Sequence, residues 1–206
     1  MPTSRAEPGS RREKAAETEQ ALKDAARRLF AERGYLNTKI TDITAAAGRA
    51  AGSFYNHFAG KQELLQALLE DFAAEGDTAA EEQAHNPDFT DPRAVRFHVE
   101  QYWTFARRNW PVLRAVDQAA LVSDDFAALT ARFTAEQRAE IADHLDRFPA
   151  AGMRLPSTPD ASLAMMFLTL HALLEAVEQG TVELTDDQAV DGLTRFVYRG
   201  LTGRDF

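Results

Sequence analysis

The stretch GYLNTKITDITAAAGRAAGSFYNHFAGK, Gly34 to Lys61, decides how the rest of the chain is read. It holds two short runs with helical spacing, Lys39 to Ala47 and Ala51 to Phe58, on either side of Ala47-Gly48-Arg49. Glycine inside that turn permits backbone angles that other residues reach only under strain. Thr38 stands where a cap for the first run belongs. Two short helices about a glycine turn make the helix-turn-helix plan, in which the first helix crosses a DNA backbone and the second enters the major groove. The second run opens with small residues. These let its N-terminal end approach DNA closely, where free N–H groups favour phosphate.

Outward from this stretch, nearly every segment reads as helix, and no long period-two alternation or hairpin signal appears. The expected fold class is all-α: an N-terminal three-helix helix-turn-helix DNA-binding domain and a C-terminal helical domain, whose ligand-binding and dimerisation role is implied by family resemblance. Residues 1–9 read as a disordered tail, 10–60 as the DNA-binding domain and 61–206 as the second domain. Upstream, Ser10-Arg11-Arg12-Glu13 has capping-box spacing, and Ala21, Leu22, Ala25, Ala26, Leu29 and Phe30 carry a helix to Arg33, which Gly34 ends. Downstream, Lys61 to about Glu82 is a long amphipathic helix, and residues 85–88 form a loop. Asp91-Pro92 opens an aromatic-rich helix to about Asn109, with a break at Trp110-Pro111. Helical spacing resumes over Val112–Leu121 and, after Ser123, over Asp124–Phe148. Residues 149–159 read as a linker. Thr158-Pro159 opens an apolar helix to about Gln179, closed by Gly180, and Thr185 to Gln188 is a capping box for a last helix.

The chain has 206 residues, 45% of them hydrophobic and 27% charged, a balance typical of globular proteins. It has no cysteine, which excludes disulfides, thiolate metal sites and cysteine nucleophiles. That suits a reducing compartment, and the expected location is cytoplasmic. The charged N-terminus has no apolar core, so it does not read as a secretory signal. The apolar stretch Leu163–Val177 is shorter than the roughly 20 residues a membrane helix needs, so no membrane association is expected. Residues 1–60 carry ten Lys and Arg against seven Asp and Glu, whereas the remainder carries 13 against 25. A basic head on an acidic body fits nucleic-acid binding. No glycine-rich phosphate loop, nucleophile elbow or convincing carboxylate pair is present, so no enzyme activity is expected. His171 and Glu175 are one helical turn apart, but two ligands do not make a metal site, and neither metal nor cofactor is expected.

The residues themselves resemble the TetR family of transcriptional regulators. The family's pattern is carried by Ala25-Ala26, Leu29-Phe30, Gly34-Tyr35, Thr38, Ile40, Asp42-Ile43, Ala47-Gly48, Gly52, Phe54-Tyr55, His57-Phe58, Lys61 and Leu64. The likeness covers about the first third of the chain. The expected DNA contacts are Thr38, Lys39, Thr41, Arg49, Ala50, Ala51, Gly52, Ser53, Tyr55, Asn56, His57 and Lys61, with Tyr55 and Lys61 on phosphates and Phe54 and Phe58 in the core; the likeness places Tyr55 at the DNA surface. It also implies a homodimer on a palindromic operator and repression relieved by a small molecule. Two positions depart from the pattern. Arg49 replaces a small apolar residue and can reach phosphate or a base. Ala50 lacks the hydroxyl that would cap the second helix, a loss of about 1 kcal/mol.

Candidate ligand-binding residues are Phe72, His98, Gln101, Tyr102, Phe105, Trp110, Phe126, Phe133, Met166 and His171, aromatic and apolar groups with a few polar ones. They point to an apolar or aromatic effector, set beside the reading in which the same side chains simply fill a core. A helix apolar nearly all round needs cover on more than one side. The expected dimer interface is therefore Phe167, Leu170, Leu174, Leu193, Phe196, Val197 and Leu201. Two rival readings stay open: an activator or a regulator of the same fold that senses no ligand, and a helical enzyme or binding protein with an incidental three-helix head.

Overall fold

A computed structural model of the chain describes residues 8–82 and 86–206. Among these, all regular structure is helical: α1 (Pro8–Arg33), α2 (Ile40–Ala46), α3 (Ala51–Phe54), α4 (Lys61–Glu82), α5 (Pro92–Arg108), α6 (Trp110–Ala120), α7 (Asp124–Glu140), a 3-10 turn (Ala142–Leu145), α8 (Pro159–Glu178) and α9 (Asp186–Thr202). Short polar side chains start several of these helices by satisfying N–H groups that have no partner within the helix. The Asp91 carboxylate accepts from Arg93 N at 2.9 Å, and the Thr158 hydroxyl from Ala161 N at 3.3 Å. At α9 the Thr185 hydroxyl accepts from Gln188 N while the Gln188 side chain accepts from Thr185 N.

Several helix boundaries differ from the sequence expectation. α1 already includes Pro8, the first described residue, so Ser10 lies within the helix. Of the tail expected over residues 1–9, only Pro8 and Gly9 fall within the described residues, and both are helical. The break expected at Trp110-Pro111 falls at Asn109. Pro111 then sits in the first turn of α6, where its missing N–H costs nothing. The helix expected to reach Phe148 ends at Glu140. Past that point the His144 carbonyl accepts from Phe89 N at 3.0 Å, a bond that a continuing α-helix would have spent on itself.

The chain forms two compact units. One holds residues up to Glu75 together with Trp110–Ala127, so it is larger than the 10–60 head and includes the first part of α4 and all of α6. Its core is built by Leu22, Ala26, Phe30, Ile43, Phe54, Leu64, Leu65 and Leu68, and α6 packs Val112, Ala115 and Val116 inward. A charged group is also enclosed there. Lys23 is 8% exposed, and its ammonium lies 3.0 Å from Asp71 and 3.4 Å from Glu19. Arg27 stacks over the Phe72 ring at 5.4 Å.

The second unit holds Gly76–Asn109 and Ala128–Phe206, with α5, α8 and α9 packed together. Val95, Val99 and Trp103 of α5 meet Leu163, Met166, Leu170 and Leu174 of α8 and Val190, Leu193, Val197 and Leu201 of α9 in its interior. Its helix ends are tied by polar contacts. Trp103 Nε1 donates to Asp186 at 2.8 Å, and the Arg107 guanidinium pairs with Asp186 and with Glu178. α8 has 20 residues and, by length and composition alone, is long and apolar enough to cross a membrane.

The same burial corrects the expected dimer interface. Leu170, Leu174, Leu193, Val197 and Leu201 are buried within their own chain. Apolar periodicity marks a buried face without saying what buries it, and here α5, α8 and α9 bury one another. Phe167 is half-buried and Phe196 is 65% exposed. Outward-facing Met165 and Leu168, absent from the expectation, are 46% and 69% exposed.

Candidate nucleic-acid interface

α2 and α3 meet across Ala47–Ala50. Gly48 carries φ +63°, which an L side chain rarely adopts, although there is open space around its Cα. Conformation rather than crowding therefore requires glycine here. The Arg49 amide then donates to Thr44 O at 2.9 Å and closes the turn. Ile43 and Thr44 bury the inner face of α2, and Phe54 and Phe58 bury that of α3 and the turn after it. α2 is held from outside as well. Arg28 donates to Ala46 O at 3.3 Å, Arg33 pairs with Asp42 at 3.3 Å, and the Asp42 carboxylate accepts from Lys39 N at 3.1 Å.

With those inner faces buried, Lys39, Thr41, Arg49, Ala50, Ala51, Gly52, Tyr55 and Asn56 are left exposed around the turn. Tyr55 is 62% exposed, and its ring rests edge-on against Phe54 at 5.6 Å. The group supplies two cations and several hydrogen-bonding side chains beside small residues, the chemistry that phosphates and base edges accept.

Four residues expected in this surface lie elsewhere. Thr38 is 2% exposed. Its hydroxyl donates to Gly34 O at 2.7 Å, closing the loop before α2 without capping the helix. Ser53 Oγ is buried and makes no hydrogen bond among the described residues. The His57 side chain is 13% exposed and lies 3.7 Å from Glu19 of α1. Lys61 was expected on phosphate. Its ammonium instead donates to Tyr35 O at 2.6 Å and to Thr38 O at 2.8 Å, 4.0 Å from the centre of the Tyr35 ring. Burial pushes the Lys61 ammonium down in pKa and the Tyr35 phenol up. α3 spans only four residues, so its dipole adds little to anion binding.

Side chains that hold the interface from behind were not anticipated: Asp42, Arg28 and, 83 residues from its partner, Gln118, whose Oε1 accepts from Tyr35 N at 2.8 Å. The spacing between Lys39 and Asp42 was the one local signal available for these.

The ten candidate ligand residues divide between the units. Phe72, Trp110 and Phe126 are buried in the unit that carries the helix-turn-helix, and the other seven belong to the second unit. There, Tyr102 Oη lies 3.2 Å from His171 Nδ1, with the Phe167 ring 5.6 Å from that of Tyr102. His98 lies against Phe89 and His144. Gln101 is exposed, Phe105 and Phe133 are half-buried, and Met166 is 3% exposed.

Residues 22–68 match the family model for bacterial regulatory proteins of the tetR family. The chain is 38% identical over 81 residues to the HTH-type transcriptional regulator TtgR of Pseudomonas putida, covering 39% of this chain and 38% of that one. It is 45% identical over 51 residues to the HTH-type transcriptional repressor KstR2 of Mycobacterium tuberculosis, covering 25% of this chain and 26% of that one. These matches thus span well under half of each relative's length. Across solved structures the likeness is one of fold. The fatty acid degradation regulator FadR of Bacillus halodurans superposes with a TM-score of 0.73 at 17% identity, covering 92% of this chain and 97% of the other. A TetR-like transcriptional regulator from Rhodococcus sp. RHA1 gives 0.64 at 21% identity, covering 89% and 94%. With the glycine turn in place and the interface residues exposed around it, residues 22–68 resemble the helix-turn-helix region of the TetR family of transcriptional regulators, and the chain shares the fold of solved regulators of that kind.

Proposed function

We propose that this regulator is a repressor that binds a palindromic operator as a homodimer and leaves it when a small apolar or aromatic molecule enters the C-terminal unit. The observation that carries the DNA reading is the exposed set Lys39, Thr41, Arg49, Tyr55 and Asn56, supported from beneath by buried Ile43, Phe54 and Phe58. Arg49 supplies a cation where the family pattern has a small apolar residue. Gel shift and fluorescence anisotropy on the DNA upstream of the protein's own gene test it. Arg49→Ala combined with Tyr55→Ala is expected to weaken binding at least tenfold and to flatten the salt slope by about one. Unchanged affinity in the double variant, with the fold intact, sinks this placement of the surface.

Dimerisation is supported by the apolar surface that α8 and α9 leave uncovered. Met165, Leu168 and Ala172 follow one face of α8, and Phe196 projects from α9 between Gly192 and Gly200. Open space surrounds both glycines, so a second helix can come close on either side of Phe196. Pairing across a two-fold axis makes a four-helix interface and sets the recognition helices about 34 Å apart. Phe196→Asp is expected to give a monomer that no longer binds the operator. Sedimentation of the wild type as a monomer at micromolar concentration refutes the pairing. The effector reading rests on the Tyr102–His171 pair beside Phe167, a polar handle next to an apolar ring. Ligand-induced melting shifts across a hydrophobic compound panel, lost in His171→Leu, are the expected result. No shift for any compound tells against it.

A further inference from the structure

We propose that Gln118, in α6, is a positioning residue of the DNA interface. Its amide oxygen accepts from Tyr35 N at 2.8 Å and so sets the turn from which α2 starts. This inference rests on the DNA-binding reading above. Three features converge on that turn. Gly34 carries φ +78°, and a Cβ there would lie 3.1 Å from Gln118 Oε1, so the same glycine that ends α1 also makes room for the amide. Tyr35 is 4% exposed, and a buried N–H left without a partner is costly. On the other side of the same peptide run, Lys61 takes the carbonyls of Tyr35 and Thr38. The Tyr35 backbone is thus gripped at its N–H by α6 and at its carbonyl by α4, and the Tyr35 ring lies 5.6 Å from that of Phe30 in α1. Four residues separate Tyr35 from Ile40, the first residue of α2, so play at this point displaces Lys39 and Thr41 and, through the turn, Arg49 and Tyr55. Gln118 touches no DNA in this scheme. It acts through the backbone of the turn.

The test uses the full chain, a duplex of the DNA upstream of its own gene, and two variants. Gln118→Leu keeps the size and removes the acceptor, whereas Gln118→Glu keeps an acceptor oxygen. The first is expected to lose about tenfold in affinity with an unchanged salt slope, and the second to stay within about twofold of the wild type. Hydrogen exchange at the Tyr35 amide is expected to be slow in the wild type and in Gln118→Glu, and fast in Gln118→Leu. Wild-type affinity in Gln118→Leu overturns the role, as does equal impairment in both variants. If Gln118→Leu does not fold, the wild type still decides: a Tyr35 amide that exchanges at the rate of an open loop overturns the proposal. A wild-type chain without salt-dependent affinity for the duplex overturns the DNA reading itself and this inference with it.

Discussion

In the unit that carries the helix-turn-helix, side chains reach across the fold to hold backbone. Gln118 grips the Tyr35 N–H, Lys61 the carbonyls of Tyr35 and Thr38, and Arg28 that of Ala46. In the second unit, the long-range polar contacts run mostly between side chains at helix ends and surfaces: Trp103 and Arg107 to Asp186, Arg96 to Asp191, Arg138 to Asp160. Between helices its cohesion is mainly apolar packing. The contrast follows from what each must present. A surface that reads DNA needs fixed backbone at a turn of few residues, and a side-chain-to-backbone bond fixes it with little dependence on neighbouring volume. A helical bundle tolerates many apolar combinations of similar volume.

Four substitutions sharpen or break this contrast. The largest effect is expected from Phe54→Ala, which empties a fully buried site beneath the interface and should cost about 4 kcal/mol in chemical denaturation. Lys61→Met comes next. Removing the ammonium leaves two carbonyls without their donor, and a loss of about 2 kcal/mol is expected. Its effect on DNA binding should appear as weaker affinity with the salt slope unchanged. A reduced slope would return Lys61 to the phosphate role. Arg107→Leu, in the second unit, removes two partly exposed ion pairs and should cost less than about 1 kcal/mol. A cost as large as that of Lys61→Met would erase the distinction between the two kinds of cohesion.

Asp91→Asn is expected to have the smallest effect, and only above a certain pH. Hydrogen bonds from the Arg93 side chain and N–H hold the Asp91 carboxyl below its usual range. A carboxyl depressed in the folded state stabilises above its unfolded pKa, near 4, and that stabilisation is lost as pH falls through the lower folded value. Asparagine still caps α5, so the variant should trail the wild type by about 0.5 kcal/mol at neutral pH. The gap should close below about pH 4. A gap that persists in acid would mean packing, not charge, holds this corner.

Much of this organisation was readable from residue spacing. Gly34, Gly48 and Gly180 ended helices as expected because each adopts positive φ, and Thr158 and Thr185 capped because nearby N–H groups lacked partners. That Arg49 and Tyr55 stand at the surface beside the turn was readable too, since they flank residues whose apolar partners lie within the same short run. The grip from behind was not. Gln118 meets Tyr35 across 83 residues, and no periodicity links a glutamine in one helix to an amide in a distant turn. Lys61 misled for a related reason: a cation at the head of a helix suggests an anion, and only the fold shows that two carbonyls stand closer. On α8, apolar spacing could not tell Leu170, which faces its own core, from Leu168, which does not.

Met165, Leu168 and Phe196 carry one more consequence. In the proposed dimer these side chains leave water for a second copy, which adds stability, and mass action sets how often that happens. Under the proposed pairing, the melting temperature is therefore a readout of abundance, rising as the protein accumulates and falling on dilution. A scarce regulator would be the more perishable one, so that its own turnover would steepen the response of its genes to how much of it the cell makes.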